Sequence, residues 1–232
     1  MNHNLQASNS VDISVLYEDN HLIVLNKKPG DLTQGDKTKD LPLPDKVKQY
    51  LKDKYNKPGN VFCGVVHRLD RPTSGVLLFA KTSKALERMN QQFRLKETIK
   101  TYWAIVEKKE INREGRLLHY LRKNAIKNKS YCVDKNTKGA KEAILNYKVI
   151  KELDNYFMME IILETGRHHQ IRTQLASIGC RIKGDLKYGA KRSNKNGSIS
   201  LHAKKLEFTH PVSKEHICID APFPKDDIWD KQ

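Results

Sequence analysis

Hydrophobic positions along the chain fall mostly into short runs that predict β-strands. Residues 13–17 and 22–26 form two such runs, and the turn-prone segment 18–20 between them predicts a β-hairpin. Further runs rich in aromatic and β-branched residues predict strands over 61–66, 76–80, 100–107, 142–150, 156–163, 201–208 and 216–219.

Three segments instead repeat their apolar residues at helical spacing. The first lies around residues 47–51, and the second follows Thr82, which can cap a helix whose apolar face includes residues 86–93. The third covers 167–178, with Gly179 as its natural end. Many strands with a few helices and no regular strand–helix alternation predict an α+β fold with a mostly antiparallel sheet.

The charge balance indicates the kind of partner. The 232 residues include 43 Lys and Arg against 27 Asp and Glu, which gives a net charge of +16. Most of the surplus lies in residues 104–151, with net +8, and in residues 181–205, with net +7. A surplus of this size favours a polyanionic partner, nucleic acid first, although lysines also serve as solvated surface residues.

Features absent from the sequence disfavour several classes of protein. No stretch approaches the ~20 apolar residues of a membrane span, and residues 1–10 lack the pattern of a signal peptide. Four widely separated cysteines without a CxxC pair indicate reduced thiols in the cytoplasm. Phosphate-binding glycine loops are missing, and the adjacent histidines 168–169 would point in different directions on a helix. We therefore predict a reaction on a polyanion without cofactor or metal.

The charged loop HRLDRPTSG, residues 67–75, is the strongest local signal, because it separates two predicted strands. Asp70 is flanked by Arg68 and Arg71, and nearby positive charge lowers a carboxyl pKa by roughly 1–3 units. An ionised, held carboxylate acts as a nucleophile or base. Alternatively, Asp70 merely begins a turn ahead of Pro72 by accepting backbone hydrogen bonds.

Two further segments carry candidate site residues. Arg172 stands on the flank of the third predicted helix, where it can reach a buried carboxylate, although the helix can equally be an ordinary one with a solvated basic face. Tyr102, in KTYWAIV, can stack on a nucleobase or can be a core tyrosine of a half-buried strand. The opening turn of the same helix offers backbone amides and polar side chains that together suit a phosphate: Arg167, His168, His169 and Gln170.

The chain carries, in this order, the segments HRLDRPTSG, KTYWAIV, GRHHQIR, GDLKYG and LHAKKLEFTHP. Together they resemble the RNA pseudouridine synthases of the large-subunit-uridine (RluA-like) type over about residues 15–222. The resemblance implies a catalytic domain at 15–222, between a flexible segment at 1–14 and a tail at 223–232. It also implies the reaction, in which a uridine loses its glycosidic bond, the uracil turns, and the ribose rejoins it through carbon 5.

The same resemblance assigns roles to individual residues. It makes Asp70 the catalytic aspartate, Arg172 the arginine that pairs with it, and Tyr102 the tyrosine that stacks on uracil and is a candidate for late proton removal. Arg68 would fill the space that the flipped base leaves in the RNA. Whether Asp70 attacks the ribose or assists elimination stays open. RNA contacts are also predicted for His67, Arg71, Arg167, His169, Gln170 and Lys27.

The expected partner is structured RNA, either rRNA or tRNA, bound by a cytoplasmic monomer. Many members of the resembled family carry a separate small RNA-binding domain, which the ~14 residues before the first predicted strand are too few to form, so we expect recognition of local RNA shape. The main alternative is a non-catalytic RNA-binding or ribosome-associated protein on the same fold. A metal-dependent nuclease is a third interpretation, for which no evident carboxylate and histidine cluster is present.

Overall fold

Within the described residues, the strands pair into one eleven-stranded sheet that carries three α-helices. A computed structural model describes residues 12–35, 38–225 and 228–229. The helices are α1 (Leu43–Lys54), α2 (Ser83–Leu95) and α3 (Gln170–Ser177). The strands are β1 (Val15–Glu18), β2 (Leu22–Lys27), β3 (Gly64–Val65), β4 (Ser74–Ala80), β5 (Ile99–Glu107), β6 (Glu114–Asn124), β7 (Lys129–Val133), β8 (Lys141–Glu152), β9 (Tyr156–Leu163), β10 (Leu201–Thr209) and β11 (His216–Asp220).

The strand order along the sheet is β1-β2-β4-β10-β5-β9-β8-β6-β7, with β3 paired to β4 and β11 paired to β10. Strands β4 and β10 run parallel, and the other pairs run antiparallel. The predicted α+β fold with a mostly antiparallel sheet is therefore confirmed.

The predicted helices are present, with caps that the sequence indicated. Thr82 Oγ1 accepts a hydrogen bond from Ala85 N at 3.2 Å at the start of α2. Gly179, with φ of +81°, follows the end of α3, and Cys180 N donates to Leu175 O at 3.0 Å. Helix α3 is shorter than the predicted 167–178, because His169 adopts a left-handed conformation with φ of +53° immediately before the helix.

Two strand predictions need correction. The run 61–66 forms only the two-residue strand β3, and Leu78 N donates to His67 Nε2 at 3.1 Å just beyond it. Strands β6 and β7 were not predicted, because the hairpin that they form is rich in basic residues and largely exposed, which leaves too few apolar positions for a recognisable pattern.

The two faces of the sheet support separate apolar clusters, as the period of two along a strand requires. In β2, Ile23 and Leu25 join the cluster under helices α1 and α3, whereas Leu22 and Val24 join the cluster under α2. The first cluster also contains Tyr102, so the candidate site lies on the α1 and α3 face.

The ends of the chain differ in what the structure describes. Residues 1–11 of the predicted flexible segment lie outside the described residues. At the other end, Trp229 is buried with Ile105 and Met158, and its ring stacks on Phe223 with centroids 5.0 Å apart. Part of the segment predicted as a tail thus packs on the sheet. Within the described ranges, no helix is long and apolar enough to cross a membrane.

Gly75 allows the close approach of β4 to β10. Its φ of +112° lies in the region that disfavours other residues, and a Cβ at this position would overlap the backbone of Ala203, its register partner. This approach matters to function because β4 begins directly after the loop that carries Asp70.

We predict that Gly75→Ala destabilises the protein by roughly 3 kcal/mol, because backbone strain and overlap act together. Thermal denaturation should show a melting temperature lowered by about 6–12 °C. Gly139→Ala is the matched control, since Gly139 has φ of +81° with open space where the Cβ would stand. Equal shifts for both variants would contradict the importance of the β4–β10 contact.

Candidate active site

Asp70 lies in the loop between β3 and β4, with its side chain 27% exposed. Thr73 N donates to the backbone carbonyl of Asp70 at 3.0 Å. Asp70 therefore does begin a turn, as the alternative interpretation held, but it does so through its carbonyl oxygen. The carboxylate is left to bind a different partner.

Lys27 supports this loop from the interior of the protein. Its side chain is buried, and its Nζ donates to the carbonyl oxygens of Lys28 at 3.0 Å, Arg71 at 3.0 Å and Thr73 at 2.7 Å. Burial lowers the pKa of Lys27 to about 7. Because the ammonium group is enclosed by these carbonyls, its placement argues against the predicted direct contact of Lys27 with RNA. Lys27 instead fixes the backbone that follows Asp70.

Arg172 binds two carboxylates at once. Its Nη1 lies 2.8 Å from Asp70 Oδ2, while its Nε and Nη2 lie 2.7 Å and 2.8 Å from the two oxygens of Asp185. Burial alone would lower the pKa of Arg172, but the hydrogen bonds and charges of Asp185 and Asp70 raise it above its usual value. The planar guanidinium is thus fixed by Asp185 and presents its remaining edge to Asp70.

The arginines on either side of Asp70 have other partners. Arg68 donates to Gln34, and Arg71 donates to Asp40. Their positive charges adjoin Asp70 in the sequence, but the ion pair of its carboxylate is with Arg172. The guanidinium that binds Asp70 comes from α3, because the turn directs the carboxylate toward that helix while Arg68 faces solvent.

Tyr102 on β5 lies between two neighbouring strands, paired with Ile161 of β9 and Ala203 of β10. Its side chain is almost wholly buried and belongs to the same cluster as Ala104, as the alternation along the strand predicts. Burial, and then the negative charge of Asp70, raise the pKa of Tyr102 above its usual value. The hydroxyl therefore stays protonated at neutral pH, near the Asp70 carboxylate.

The turn that precedes α3 is locked by the side chain of Gln170. Its Oε1 accepts from Thr165 Oγ1 at 2.8 Å and from Arg167 N at 2.9 Å, and its Nε2 donates to Ile144 O at 3.0 Å. The amides of Arg167 and Gln170 already have partners, so the predicted phosphate site at this turn loses two of its donors. Gln170 is buried and holds the turn in place.

The adjacent histidines stack on each other, contrary to the prediction that they diverge. They precede α3 rather than lying on it, and the ring centroids of His168 and His169 are 3.8 Å apart. His169 Nε2 lies 3.6 Å from Asp70 Oδ2, and burial lowers the pKa of His169 to about 2. Neutral His169 brings no full charge to Asp70, which leaves Arg172 as the bound cation. Within the described part of the chain, no group of three potential metal ligands occurs.

Most of the predicted site residues meet at one cavity of 80 Å³ on the α3 face. A larger groove of 590 Å³ beside α1 is lined by none of them. His67 stands apart, because its ring stacks on Phe93 with centroids 5.1 Å apart and burial lowers its pKa to about 3. The predicted residues that line the cavity are Arg68, Asp70, Tyr102, Arg167, His169, Gln170 and Arg172.

Sequence reasoning missed two residues of the site, Asp185 and Tyr188. The Tyr188 hydroxyl is 3.0 Å from His169 Nδ1 and 3.2 Å from Thr173 Oγ1, and the Arg172 guanidinium lies over its ring, 5.1 Å from the centroid. Both residues belong to the segment GDLKYG, which contributed to the family resemblance but gave no candidate site residue. The sequence shows that Asp185 is the one acidic residue of the basic segment 181–205, but it does not show that Asp185 pairs with Arg172.

The α+β fold thus brings an arginine-bound carboxylate and a buried, protonated tyrosine to one cavity. The family model for RNA pseudouridylate synthase matches residues 21–177. The chain belongs to the RNA pseudouridine synthase family, in its RluA-like branch, and is an isomerase.

Individual relatives support the same assignment. Ribosomal large subunit pseudouridine synthase C of Rickettsia felis is 35% identical over 215 residues, which cover 90% of this chain and 67% of the relative. Ribosomal large subunit pseudouridine synthase D of Zymomonas mobilis is 30% identical over 226 residues, covering 93% and 71%. The solved structure of human RNA pseudouridylate synthase domain containing 4 shares the fold, with a TM-score of 0.76, 23% identity, and coverage of 91% of this chain and 89% of that one.

We predict that Asp185→Asn destabilises the protein by about 3–5 kcal/mol, because buried Asp185 binds two nitrogens of the buried Arg172, whereas the partly exposed Asp70 binds only one. Denaturant unfolding measures the loss. Glu152→Gln provides the control, since Glu152 also binds an arginine, Arg113, but at the exposed surface, where an ion pair contributes little. Similar decreases in the free energy of unfolding for both variants would show that the buried ion pair contributes no more to stability than an exposed one.

Proposed function

We propose that Asp70, Arg172 and Tyr102 carry out the isomerisation of specific uridines in rRNA or tRNA, without a cofactor. The observation that supports this most strongly is the contact between Arg172 Nη1 and Asp70 Oδ2, two residues that line the cavity. A preorganised ion pair needs no rearrangement when the substrate reacts. Asp70 is partly exposed, so a substrate can reach it.

The carboxylate of Asp70 acts on the ribose of the target uridine. In the overall change the bond from ribose carbon 1 to uracil N1 breaks, the bond from carbon 1 to uracil carbon 5 forms, the hydrogen of carbon 5 leaves as a proton, and N1 takes up a proton. Attack on carbon 1 and assistance to elimination both require the ionised carboxylate. Arg172 serves either route, since it binds the carboxylate and fixes its position at the cavity.

A uridine within folded RNA must leave its stack before it reaches Asp70, and this flipping costs a few kcal/mol. Arg68 is placed to offset part of that cost, because it is exposed at the rim of the cavity, two residues from Asp70. Arg167 lies at the same rim and brings a second positive charge toward the RNA backbone.

Tyr102 forms the stacking surface for the flipped uracil. Its ring lines the cavity from strand β5, held by strands on both sides. Because its hydroxyl is protonated at neutral pH, it begins the reaction as a hydrogen-bond donor. To take the proton of carbon 5, which is the role that the resemblance implies, the hydroxyl must first give up its own proton.

The names of the Rickettsia and Zymomonas relatives favour large-subunit rRNA as the RNA class, with tRNA as the other candidate. We also propose a cytoplasmic monomer. The four cysteines are free thiols, which is typical of a reducing compartment. The alternative of a non-catalytic RNA-binding protein would have no use for the Asp70, Tyr102 and Arg172 arrangement.

We predict that Asp70→Asn abolishes activity and leaves RNA affinity and melting temperature close to wild type, since the amide keeps the shape but loses the charge. RNA tritiated at carbon 5 of uridine and extracted from cells without this gene should release label to water with wild type only. Asp53→Asn, an exposed carboxylate on α1, is the matched control and should release label normally. Substantial release by Asp70→Asn would refute the mechanism, and no release by wild type would refute the enzymatic function.

A further inference from the structure

The turn that joins β6 to β7 presents an almost fully exposed isoleucine, Ile126, which is 98% accessible. The turn around it is well defined. Lys127 N donates to Asn124 Oδ1 at 2.9 Å, and Asn128 N donates to Ala125 O at 3.2 Å. Asn128 completes the turn with φ of +42°. The isoleucine is therefore held out from the protein by a hydrogen-bonded turn.

Only basic charge surrounds this isoleucine along the chain. Residues 122–129 contain four Lys and Arg and no Asp or Glu. Arg122, Lys123 and Lys127 are exposed, and Lys129 lies over the ring of Tyr188, 4.8 Å from its centroid. Single exposed apolar residues are ordinary on protein surfaces. An exposed apolar residue among cations alone suits a partner that combines phosphates with apolar faces.

The turn is fastened to the edge of the active site. Asn128 Oδ1 lies 3.1 Å from His168 Nε2, and Lys187 Nζ donates to Asn128 O at 3.2 Å. Ser130 Oγ donates to His168 O at 2.7 Å. Since His168 stacks on His169, which contacts Asp70, the turn lies only a few side chains from the catalytic carboxylate.

We propose that the β6–β7 turn is a second RNA-binding site, in which Ile126 packs against exposed base faces of the substrate RNA while the surrounding cations bind its phosphates. The proposal rests on the proposed function and extends it to the RNA that flanks the target uridine. Apolar side chains, isoleucine among them, wedge between bases in other nucleic-acid complexes. Unpaired loops and helix ends of RNA offer such base faces.

Two substitutions at one position separate this contact from simple electrostatics. Ile126→Ala removes apolar surface without changing charge, and Ile126→Lys removes it while adding a cation. If Ile126 packs on bases, both variants bind more weakly, by about tenfold for Ile126→Ala. If the turn acts through charge alone, Ile126→Ala binds as wild type and Ile126→Lys binds more tightly with a steeper salt dependence.

The binding probe is large-subunit rRNA transcribed in vitro, with affinity measured between 50 and 200 mM salt. Leu95→Ala is the matched control, because Leu95 is an exposed aliphatic residue at the end of α2. Helix α2 packs on the face of the sheet opposite to the candidate active site. The Leu95→Ala variant should bind as wild type. Unchanged affinity for Ile126→Ala together with tighter binding by Ile126→Lys would overturn the proposal. So would self-association that is lost in Ile126→Ala while its RNA affinity is unchanged.

Tritium release from cellular RNA distinguishes this proposal from the proposed function. If wild type releases label and Ile126→Ala needs about tenfold more RNA for half-maximal release, with the same maximal rate, both stand. If Ile126→Ala matches wild type in affinity and in release, the second site is wrong and the enzymatic function stands. If wild type releases no label, the proposed function fails, and the rRNA affinities of the Ile126 variants still decide the contact.

Discussion

The buried positive charge of Arg172 determines how the site is arranged. A guanidinium that is 5% exposed needs carboxylate partners, because an unpaired buried charge is costly. Asp185 occupies two of its nitrogens, and the third points at Asp70. The same pairing that makes the buried arginine tolerable therefore also holds the Asp70 carboxylate in a fixed position at the cavity.

Three parts of the fold must meet for this arrangement to form. The loop before β4 brings Asp70 and is fixed by Lys27 and by the close approach at Gly75. Helix α3 brings Arg172, and the turn before it is locked by Gln170. The segment before β10 brings Asp185. Because β4 and β10 are neighbours in the sheet, the loops that precede them bring Asp70 and Asp185 to the same site. Stability and chemistry thus depend on the same contacts.

The sequence predicted the residues that stand in unusual local surroundings. Asp70 among arginines and Tyr102 in an aromatic strand could be identified from their motifs, and the apolar runs predicted most of the sheet. Asp185 could not, because its role depends on the approach of a helix 13 residues away in the chain. The burial of Lys27 could not be predicted either, because a lysine is normally solvated and the three carbonyls that bind its ammonium group come together only in the fold.

We expect the activity of Asp70 to depend on the geometry of Arg172 and not on its charge alone. Arg172→Lys tests this most directly, because lysine keeps the positive charge. Its single side-chain nitrogen cannot replace the three guanidinium nitrogens that bind Asp185 and Asp70 at the same time. The single-turnover rate of pseudouridine formation at saturating RNA should fall by roughly 100-fold or more, with RNA affinity unchanged. A rate close to that of wild type would show that positive charge alone suffices and would contradict the account.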